Sequence, residues 1–469
     1  YQLFLHPLHK YPGPLLAKLT NFYGVYYAFS RQLAQAADRN HQRYGPVVHI
    51  YKNEQILKST AYQVSQPRPG VFNMFNVRDK NAARTKRKII GQGLNAKAMR
   101  EFEPVMTEHI DVFIKSLFDE LNINSTVDIL EACSCLAIDV SVELGFGHSL
   151  ELQTNKENRW LKQAIQGANW RINLLMQNPW LKKARLDKLM IFMSPNVLKY
   201  YGILMKLIQA RRALDWDARP DWFNFILDHR WYIPFPTSSD SSLTKLLGGD
   251  TTAAAMSAAF FYLSRYPKVY SKLAAEIRTT FSSAAEIRSG PQLSSCAYLR
   301  AVLTEALRLS SPVNGTLWRD TPSNTTPLTI SSQVIPPGTC VGVNTYTLHH
   351  NAAYFPRPYL FSPARWLPPS SGLATDGEPE YSDAQFKAME AAFAPFSVGA
   401  RSCAGTSLAW LEMSLVFAKT FWFFEFETEG TLGEGWREGC PVFEVGDTLV
   451  AWHVGPELRF RKREGVRVE

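Results

Sequence analysis

One short stretch, FSVGARSCAG, constrains this chain more than any other part of its sequence. It places a single thiol, Cys403, among Phe396, Arg401 and two glycines, Gly399 and Gly405. The glycines would let the backbone turn tightly and approach a flat group, and amide N–H groups pointing at the sulfur would stabilise a thiolate. The helical pattern that follows would add the positive end of its dipole near that sulfur. The stretch therefore has the features of a loop that presents a thiolate.

A thiolate held in this way is a strong axial ligand for haem iron. It pushes electron density onto the metal and favours cleavage of the O–O bond of bound oxygen. Arg401 would then be placed to pair with an acidic cofactor edge such as a propionate. Two other interpretations are open at this point. A free cysteine is most often a small core hydrophobe, and a cysteine nucleophile needs a positioned base, which no histidine nearby in the sequence supplies.

The pattern F-x-x-G-x-R-x-C-x-G is far more restrictive than a lone cysteine. The longer segment FAPFSVGARSCAGTSLAWLE, residues 393–412, resembles the haem-binding signature of the cytochrome P450 family. By that resemblance Cys403 is the axial ligand of haem b, iron protoporphyrin IX. The other loop residues that it implies for cofactor binding are Phe396, Gly399, Arg401 and Gly405. The likeness covers essentially the whole chain and implies one haem-thiolate domain over residues 1–469.

Helical periodicity dominates the rest of the chain and predicts the fold class. The segments with apolar residues at i, i+3 and i+4 spacing include 102–121, 127–147, 196–214 and 251–266. β-branched runs separated by Pro-Gly predict strands within 327–344, and a further strand-like piece lies at 47–51. The chain is therefore predicted to be mainly α with a minor β region, which is also the single-domain fold that the cytochrome P450 resemblance implies.

A Glu-x-x-Arg pair is expected upstream of the cysteine loop in this family, and Glu305 and Arg308 supply it. The other faces of their helix are apolar, so the pair is predicted to be buried. A buried ion pair needs further partners to offset desolvation, and the segment FSPARW resembles the family's third member, with Arg365 as the added cation. An exposed i,i+3 pair is the alternative. Glu434 and Arg437 have the same spacing, but in a glycine-rich segment.

The stretch LLGGDTTAAAMSAAFFYLSRYP resembles the oxygen-activating helix of the family. Asp250 and Thr251 are poor helix formers behind two glycines, a sequence that invites local widening of the helix. The resemblance implies that they are catalytic, with Thr251 stabilising the activated oxygen or a water and Asp250 feeding protons. An ordinary helix N-terminus at this point is the equal alternative. Leu247 departs from the family pattern, in which Ala or Gly is usual.

Two further arginines are implied as cofactor ligands. Arg319 would meet one haem propionate and Arg87 the other, although Ala83 replaces the usual Trp or His four residues before Arg87. The substrate pocket that the resemblance implies is lined by residues from three segments. These residues are Phe72, Phe75, Ala254, Val313 and Leu317.

The distribution of charge indicates which partners the protein binds, and the cysteine content indicates its redox compartment. The net charge is +9 and the basic residues are dispersed, except for Arg84, Lys86, Arg87 and Lys88. A solvated helix face is one interpretation of that cluster. By resemblance, Lys86 and Lys88 belong to the surface that docks an acidic flavoprotein, NADPH–cytochrome P450 reductase. We expect no nucleic-acid partner. We also expect the protein to be a monomer. Six cysteines without CxxC pairs indicate a reducing compartment.

Membrane attachment is expected from the start of the chain. No run of 18 apolar residues occurs, but the opening YQLFLHPLHKYPGPLLAKL resembles the segment that follows the anchor in membrane-bound fungal members. We expect an N-terminal anchor that is absent from this chain, and a catalytic domain that faces the cytosol at the endoplasmic reticulum membrane. Residues 178–193 mix aromatic and cationic side chains, which fits either a membrane interface or ordinary amphipathic packing.

The implied activity is reductive activation of O2. Electrons would come from NADPH through the reductase, and one oxygen atom would enter a small-to-medium apolar organic substrate, an intermediate of fungal secondary metabolism. An alternative is a haem-thiolate enzyme of oxidative coupling, rearrangement or dehydration, without net oxygen insertion. A haem sensor or carrier and a non-haem cysteine hydrolase are hypotheses from other classes.

Overall fold

The computed structural model describes residues 3–5, 11–45, 57–66, 70, 72–122, 126–192, 196–214, 221, 248–321, 327–330, 333–368 and 381–465. Most of these residues are helical. The α-helices are α1 Leu15–Leu19, α2 Phe22–Phe29, α3 Leu33–Tyr44, α4 Lys80–Gln92, α5 Ala96–Asn122, α6 Ile129–Phe146, α7 Trp160–Gln177, α8 Trp180–Lys183, α9 Leu186–Phe192, α10 Asn196–Arg212, α11 Gly249–Arg265, α12 Pro267–Thr280, α13 Pro291–Ser295, α14 Ala297–Leu309, α15 Thr345–His349, α16 Asp383–Ala392 and α17 Thr406–Phe423.

The strands are short and form small antiparallel sheets. They are β1 Leu57–Lys58, β2 Val127–Asp128, β3 Thr316–Asp320, β4 Leu328–Ile330, β5 Gln333–Ile335, β6 Cys340–Asn344, β7 Phe424–Thr428, β8 Glu434–Arg437, β9 Cys440–Phe443, β10 Gly446–Thr448, β11 Val450–Trp452 and β12 Glu457–Lys462. Three-stranded sheets have the orders β1-β3-β6 and β2-β12-β7, and the remaining strands pair as the hairpins β4–β5, β8–β9 and β10–β11. The predicted class, mainly α with a minor β region, is confirmed.

The helix and strand predictions hold, with shifts at the boundaries. The four helical segments correspond to α5, α6, α10 and α11, and the segment 327–344 contains β4, β5 and β6. The structure splits 127–147, because Val127 and Asp128 pair with β12 before α6 begins. Asp128 then caps α6 by accepting a hydrogen bond from the Glu131 N–H at 3.1 Å. The strand expected at 47–51 lies outside the described residues.

The core is centred on α11, which is buried along nearly its whole length between α6, α14 and α17. The start of α11 lies very close to α6. A Cβ at Gly249 would meet the carbonyl oxygen of Ala137 in α6 at 2.5 Å, so only a glycine fits there without a shift of the backbone. Phe260 packs against Phe417 and, edge-on, against Phe426, with ring centroids 4.5 and 5.3 Å apart, which joins the helices to the β2-β12-β7 sheet. Aromatic contacts of this kind add to the burial of apolar area. The core thus fixes α11 relative to α17, the helix that follows Cys403.

Among the described residues, no helix combines the length and the apolar character needed to cross a lipid bilayer. All six cysteines carry free thiols.

Candidate active site: the cysteine loop and its supports

The loop around Cys403 is held by backbone hydrogen bonds. The Cys403 N–H donates to the Phe396 carbonyl at 2.7 Å, and the Ser402 N–H donates to the Gly399 carbonyl at 3.0 Å. Gly399 has φ +73°, a backbone conformation that favours glycine, and a Cβ there would meet no atom of the described residues within 4 Å. Cys403 is exposed and its thiol is free. The loop therefore turns its thiol and its glycines toward an accessible face.

The helix α17 starts directly behind the thiol. The Thr406 hydroxyl donates to the Cys403 carbonyl at 3.1 Å, and the Ala409 N–H donates to the Gly405 carbonyl at 3.0 Å, so the first turn of the helix is fixed to the loop. A Cβ at Gly405 would lie 3.9 Å from the Cys403 sulfur. The N-terminus of α17, which is the positive end of the helix dipole, therefore lies beside the Cys403 loop.

Three arginines from separate parts of the chain lie near one another beside this loop. Arg87 of α4 donates to the carbonyl and the hydroxyl of Ser402, at 2.5 and 3.0 Å. Arg401 donates to the Arg78 carbonyl at 3.0 Å, while its Nη1 is buried without a hydrogen-bond partner among the described residues. Burial lowers the pKa of Arg401, and the positive charges of Arg319 and Arg87 lower it further. Such a cluster requires negative charge from outside the loop.

Glu305, Arg308 and Arg365 form a fully buried ion network. Arg308 binds the Glu305 carboxylate in bidentate fashion, with N–O distances of 2.9 and 2.8 Å, and Arg365 donates to the same carboxylate at 3.0 Å. All three side chains are 0% exposed. The structure thus brings together the three residues that the sequence assigned to one network. Glu434 and Arg437 are different, because Glu434 pairs with Arg265 of α11 and Arg437 is exposed.

The network compensates for the burial of its acid. Burial alone would raise the pKa of Glu305, but the charges and hydrogen bonds of Arg308, with a further contribution from Arg365, hold it below its usual value. Two donors that the sequence analysis missed complete the shell: the Trp366 indole N–H at 2.9 Å and the Ser362 backbone N–H at 3.1 Å. Trp366 belongs to the quoted FSPARW segment, so its identity was visible while its hydrogen bond was not.

A short chain of hydrogen bonds joins this network to the cysteine loop. Arg308 donates from Nη1 to the His349 carbonyl at 2.7 Å, and the His349 ring accepts from the Ala394 N–H at 3.0 Å. Burial and the charge of Arg308 lower the pKa of His349, so the ring is neutral and can accept that bond. Ala394 lies two residues before Phe396. The ion network therefore positions the start of the loop that presents Cys403.

Asp250 and Thr251 lie in the first turn of α11. The Thr251 hydroxyl donates to the Gly248 carbonyl at 2.7 Å, which leaves its lone pairs available to accept. The Asp250 carboxylate accepts from the Asn169 side chain of α7 at 2.7 Å. Burial raises the pKa of Asp250 to about 6, and the hydrogen bond from Asn169 opposes the shift. The helix begins at Gly249, one residue before this pair, and Leu247 lies outside the described residues.

The expected pocket residues have different surroundings. Ala254 is buried in α11, and Val313 and Leu317 are half-buried, the latter in β3. Phe75 packs edge-on against Tyr62, with ring centroids 5.0 Å apart, and Phe72 is exposed. Part of their segment, residues 67–69 and 71, lies outside the described residues.

Two further buried acids escaped the sequence analysis. Asp447, in β10, accepts from the Asn173 side chain of α7 at 3.2 Å, and burial raises its pKa to about 6. Glu412, in α17, has no hydrogen-bond partner for Oε1 among the described residues, and burial raises its pKa to about 8. Neither position carries a signal in one sequence, because an acid in a helix or hairpin is usually solvated.

These residues fit a haem with a thiolate ligand. The loop offers a free thiol beside glycines that leave its face uncrowded, and three cations converge where one guanidinium nitrogen has no hydrogen-bond partner in the described part of the chain. Cys403 would hold the iron, and Arg87, Arg319 and Arg401 would bind the two propionates. Among the described residues, no cluster of histidine, cysteine and acidic side chains offers a different metal site. The mainly helical fold and this loop define a haem-thiolate protein.

Comparisons with known proteins give the family. Residues 58–434 match the family described as Cytochrome P450. The cytochrome P450 monooxygenase AKT7 of Alternaria alternata is 30% identical, over 98% of this chain and 94% of that protein. The cytochrome P450 monooxygenase apf7 of Gibberella fujikuroi is 30% identical, over 99% of this chain and 95% of that protein. The chain belongs to the cytochrome P450 family, and it is a P450 monooxygenase enzyme with a haem cofactor.

A solved structure shows the shared fold. The crystal structure of a cytochrome P450, CYP102L1, matches with a TM-score of 0.69 at 20% sequence identity, over 92% of this chain and 94% of that one. The fold that the sequence resemblance implied is therefore confirmed.

Proposed function

We propose that this enzyme inserts one oxygen atom of O2 into a small-to-medium apolar organic molecule, an intermediate of fungal secondary metabolism. Its electrons come from NADPH through NADPH–cytochrome P450 reductase. When bound, haem b supplies the iron at which O2 is reduced and from which oxygen is transferred. The protein contributes the thiolate, the propionate ligands, proton delivery and an apolar pocket.

The observation that carries this proposal is the exposed Cys403 thiol beside three arginines, Arg87, Arg319 and Arg401. Among the described residues, the buried Nη1 of Arg401 has no hydrogen-bond partner, and Asp79 is the one acidic group that influences the pKa of Arg401. A porphyrin with two propionates would supply the missing charge. The Glu305 network and α17 hold the loop from behind, so the thiol position is fixed before the cofactor binds.

Proton delivery is assigned to Asp250 and Thr251. An acid whose pKa is near 6 can give up a proton and take one back near neutral pH. The Thr251 hydroxyl already donates to a backbone carbonyl, so it is oriented to accept a hydrogen bond from a water. The apolar substrate would lie against Phe72, Phe75, Ala254, Val313 and Leu317.

The decisive test is the reduced carbon-monoxide difference spectrum of the haem-loaded protein. We expect the red-shifted Soret band of thiolate ligation in the wild type and its loss in Cys403→Ala. Cys340→Ala is the matched control, because Cys340 is also exposed but lies in β6. Incubation with reductase, NADPH and 18O2 over a panel of apolar molecules should then give products that carry one labelled oxygen.

Other outcomes would change the assignment. Retention of the thiolate band in Cys403→Ala would remove the axial ligand from this position. A thiolate spectrum with products that lack the label would favour the oxidative coupling, rearrangement or dehydration alternative. A thiolate spectrum without NADPH consumption, when reductase and the panel are present, would favour a haem sensor or carrier.

The reductase would dock on the face that carries α4. Arg87 joins α4 to the cysteine loop, and Arg84 and Lys88 of the same helix are exposed. A cationic surface this close to the thiolate suits an acidic flavoprotein, whose association it would accelerate at low salt. We expect the double variant Arg84→Glu/Lys88→Glu to slow first-electron transfer about tenfold or more at low ionic strength. Lys462→Glu, an exposed cation of β12, is the control and should change the rate little.

We place the enzyme at the endoplasmic reticulum membrane with its catalytic domain toward the cytosol. Support comes from exposed apolar side chains of α1 and α2, which precede α7 in the chain, and of α8 and α9, which follow it. These side chains are here called the membrane face. Its members are Leu15, Leu16, Leu19, Phe22, Tyr26, Phe29, Trp180, Leu186 and Leu189, which are 37–66% exposed. Phe29 contacts Trp170 of α7 with ring centroids 5.5 Å apart, and exposed Lys183, Arg185 and Lys188 border the α8–α9 part. Apolar side chains rimmed by cations suit an anionic lipid surface.

Vesicle flotation tests the membrane face. The haem-loaded chain should float with phosphatidylcholine–phosphatidylserine vesicles, and Leu186→Glu/Leu189→Glu should reduce the bound fraction several-fold. Leu432→Glu is the control, since Leu432 is 42% exposed but lies far along the chain beside β8. Equal binding by the wild type and the double variant would contradict this role of α9.

A further inference from the structure

Helix α7 carries two asparagines that each donate a hydrogen bond to an acid of a different element. Asn169 and Asn173 are one turn apart on the same face of the helix. Asn169 donates from Nδ2 to Asp250 Oδ2 of α11 at 2.7 Å. Asn173 donates from Nδ2 to the carbonyl oxygen and Oδ1 of Asp447 in β10, at 3.1 and 3.2 Å. One helix thus reaches both the expected proton-delivery acid and the β10–β11 hairpin.

The second pair anchors α7. Asn173 and Asp447 are 4% and 2% exposed. Asp447 also accepts from the Leu449 N–H at 3.1 Å, and its own N–H donates to the Arg31 carbonyl at 2.7 Å. A Cβ at Gly315 would lie 2.6 Å from Asp447 Oδ2, so glycine is required for the carboxylate to fit. The rotation of α7 about its axis, and with it the position of Asn169, is therefore set by a well-fixed contact.

The first pair controls an acid that has few other contacts. Burial raises the pKa of Asp250 to about 6, and the opposing influences are the Asn169 amide and the backbone N–H groups of Thr251 and Asp250. No charged side chain of the described residues is among these influences. The Thr251 hydroxyl is directed to Gly248 and not to Asp250. Asn169 is thus the side chain from outside α11 that orients this carboxyl.

We propose that Asn169 is a positioning residue for Asp250, so that the state of the proton-delivery acid depends on where α7 lies. The amide stabilises the ionised carboxylate and directs Oδ2 toward α7. This leaves Oδ1 as the oxygen available to exchange protons with water. The inference rests on the proposed function, in which Asp250 delivers protons.

The test is an infrared titration of Asp250 in the haem-loaded full chain. The difference spectrum between wild type and Asp250→Asn identifies the C=O stretch of the protonated Asp250 carboxyl, and its intensity is followed against pH. Loss of the amide in Asn169→Ala should move the midpoint upward by about one pH unit, because the ionised form loses a charge-assisted hydrogen bond. Asn173→Ala is the matched control: it removes the same kind of bond one turn away, and because α7 keeps its packing against α2 and α10, it should shift the Asp250 midpoint by clearly less than Asn169→Ala does.

An unchanged midpoint in Asn169→Ala, or an equal shift in both variants, would overturn the proposal. If Asn169→Ala does not fold, the wild type can be used with 15N-labelled asparagine. At least one side-chain amide signal should then titrate with the Asp250 midpoint and stop doing so in Asp250→Asn. The absence of any such signal would equally contradict the proposal that Asn169 positions Asp250.

These measurements are independent of turnover, so they separate this inference from the proposed function. If Asp250→Asn oxidises substrate at the wild-type rate, proton delivery by Asp250 is wrong, whereas a shifted midpoint in Asn169→Ala would still establish the contact. If the midpoint does not move but Asp250→Asn abolishes product formation, the proposed function stands without a role for Asn169.

Discussion

Glu305 and Glu412 are equally buried acids in neighbouring helices, yet their pKa values move in opposite directions. Glu305 is 0% exposed and Glu412 is 1% exposed. Burial favours the neutral form in both, but Glu305 has two guanidinium groups on its carboxylate and its pKa falls below the usual value. No cation of the described residues influences Glu412, and burial raises its pKa to about 8. Burial alone therefore does not decide the charge of an acid in this core; the partners brought by the fold decide it.

The difference divides the support of the cysteine loop into two kinds. Around Glu305 an ion network fixes α14, the 361–366 segment and, through His349, the start of the loop. Around Glu412 burial is the one influence on the carboxyl among the described residues. Burial raises the pKa of the Cys133 thiol in α6, and the nearby Glu412 raises it further. The first region holds its geometry with charges, and the second holds it with packing.

The largest effect should come from removing a cation of the network. Arg308→Gln leaves Glu305 with one guanidinium partner fewer and orphans the carbonyls of His349 and Pro358. We expect a loss of about 3–5 kcal/mol in the free energy of unfolding, which is a large part of a typical total. Urea unfolding at pH 7, followed by circular dichroism, measures it.

Arg437→Gln is the matched control for that experiment. Arg437 belongs to the other Glu-x-x-Arg match, but its side chain is 47% exposed, so its loss should change stability by less than about 1 kcal/mol. Similar losses of unfolding free energy in the two variants would show that the contribution of the Glu305 network to stability does not come from its burial.

The second effect is a change in the pH dependence of stability, with opposite signs for the two acids. Glu305 has a lowered pKa in the folded state, so its contribution is present above its unfolded value and is lost as pH falls through the folded value. Glu412 has a raised pKa, so the wild type loses stability as pH rises from its unfolded value toward about 8. Glu412→Gln removes that loss, and we expect its stability relative to wild type to rise by about 3 kcal/mol between pH 5 and pH 8.

Urea unfolding of wild type and Glu412→Gln across that pH range gives the difference directly, because all other titrating groups are shared by the two proteins. A difference that does not depend on pH would mean that Glu412 is ionised in the folded protein. The comparison with Glu305 would then fail, and an unrecognised partner of Glu412 would have to be sought.

The sequence predicted the ion network around Glu305 better than the burial of Glu412. Glu305, Arg308 and Arg365 were found because helical spacing placed the pair on an apolar helix and because a family pattern supplied the third residue. Glu412 was part of the quoted signature but gave no sign of its burial, since every turn of α17 looks apolar on several faces. Burial of a single acid depends on which helices pack around it, and that information is long-range.

The same limit applies to α7. The spacing of Asn169 and Asn173 was visible, but asparagines four residues apart are ordinary in a helix, and their acids lie about 80 and 270 residues further along the chain. The sequence could predict the helical class and the cysteine loop from local patterns. It could not predict hydrogen bonds between α7, α11 and β10, because no local pattern encodes which segments meet.

The smallest effect should come from removing the one neutral side-chain donor to Glu305 that the structure describes, the Trp366 indole. Trp366→Phe keeps most of the buried ring but removes the indole N–H that donates to Glu305 Oε2 at 2.9 Å. Because the carboxylate retains Arg308 and Arg365, we expect a loss of only about 1–2 kcal/mol in the free energy of unfolding. Trp436→Phe is the control, since Trp436 is 60% exposed in β8 and its replacement should stay within about 0.5 kcal/mol. A Trp366 loss as large as that of Arg308→Gln would show that the neutral donor, and not the second cation, is what keeps Glu305 ionised.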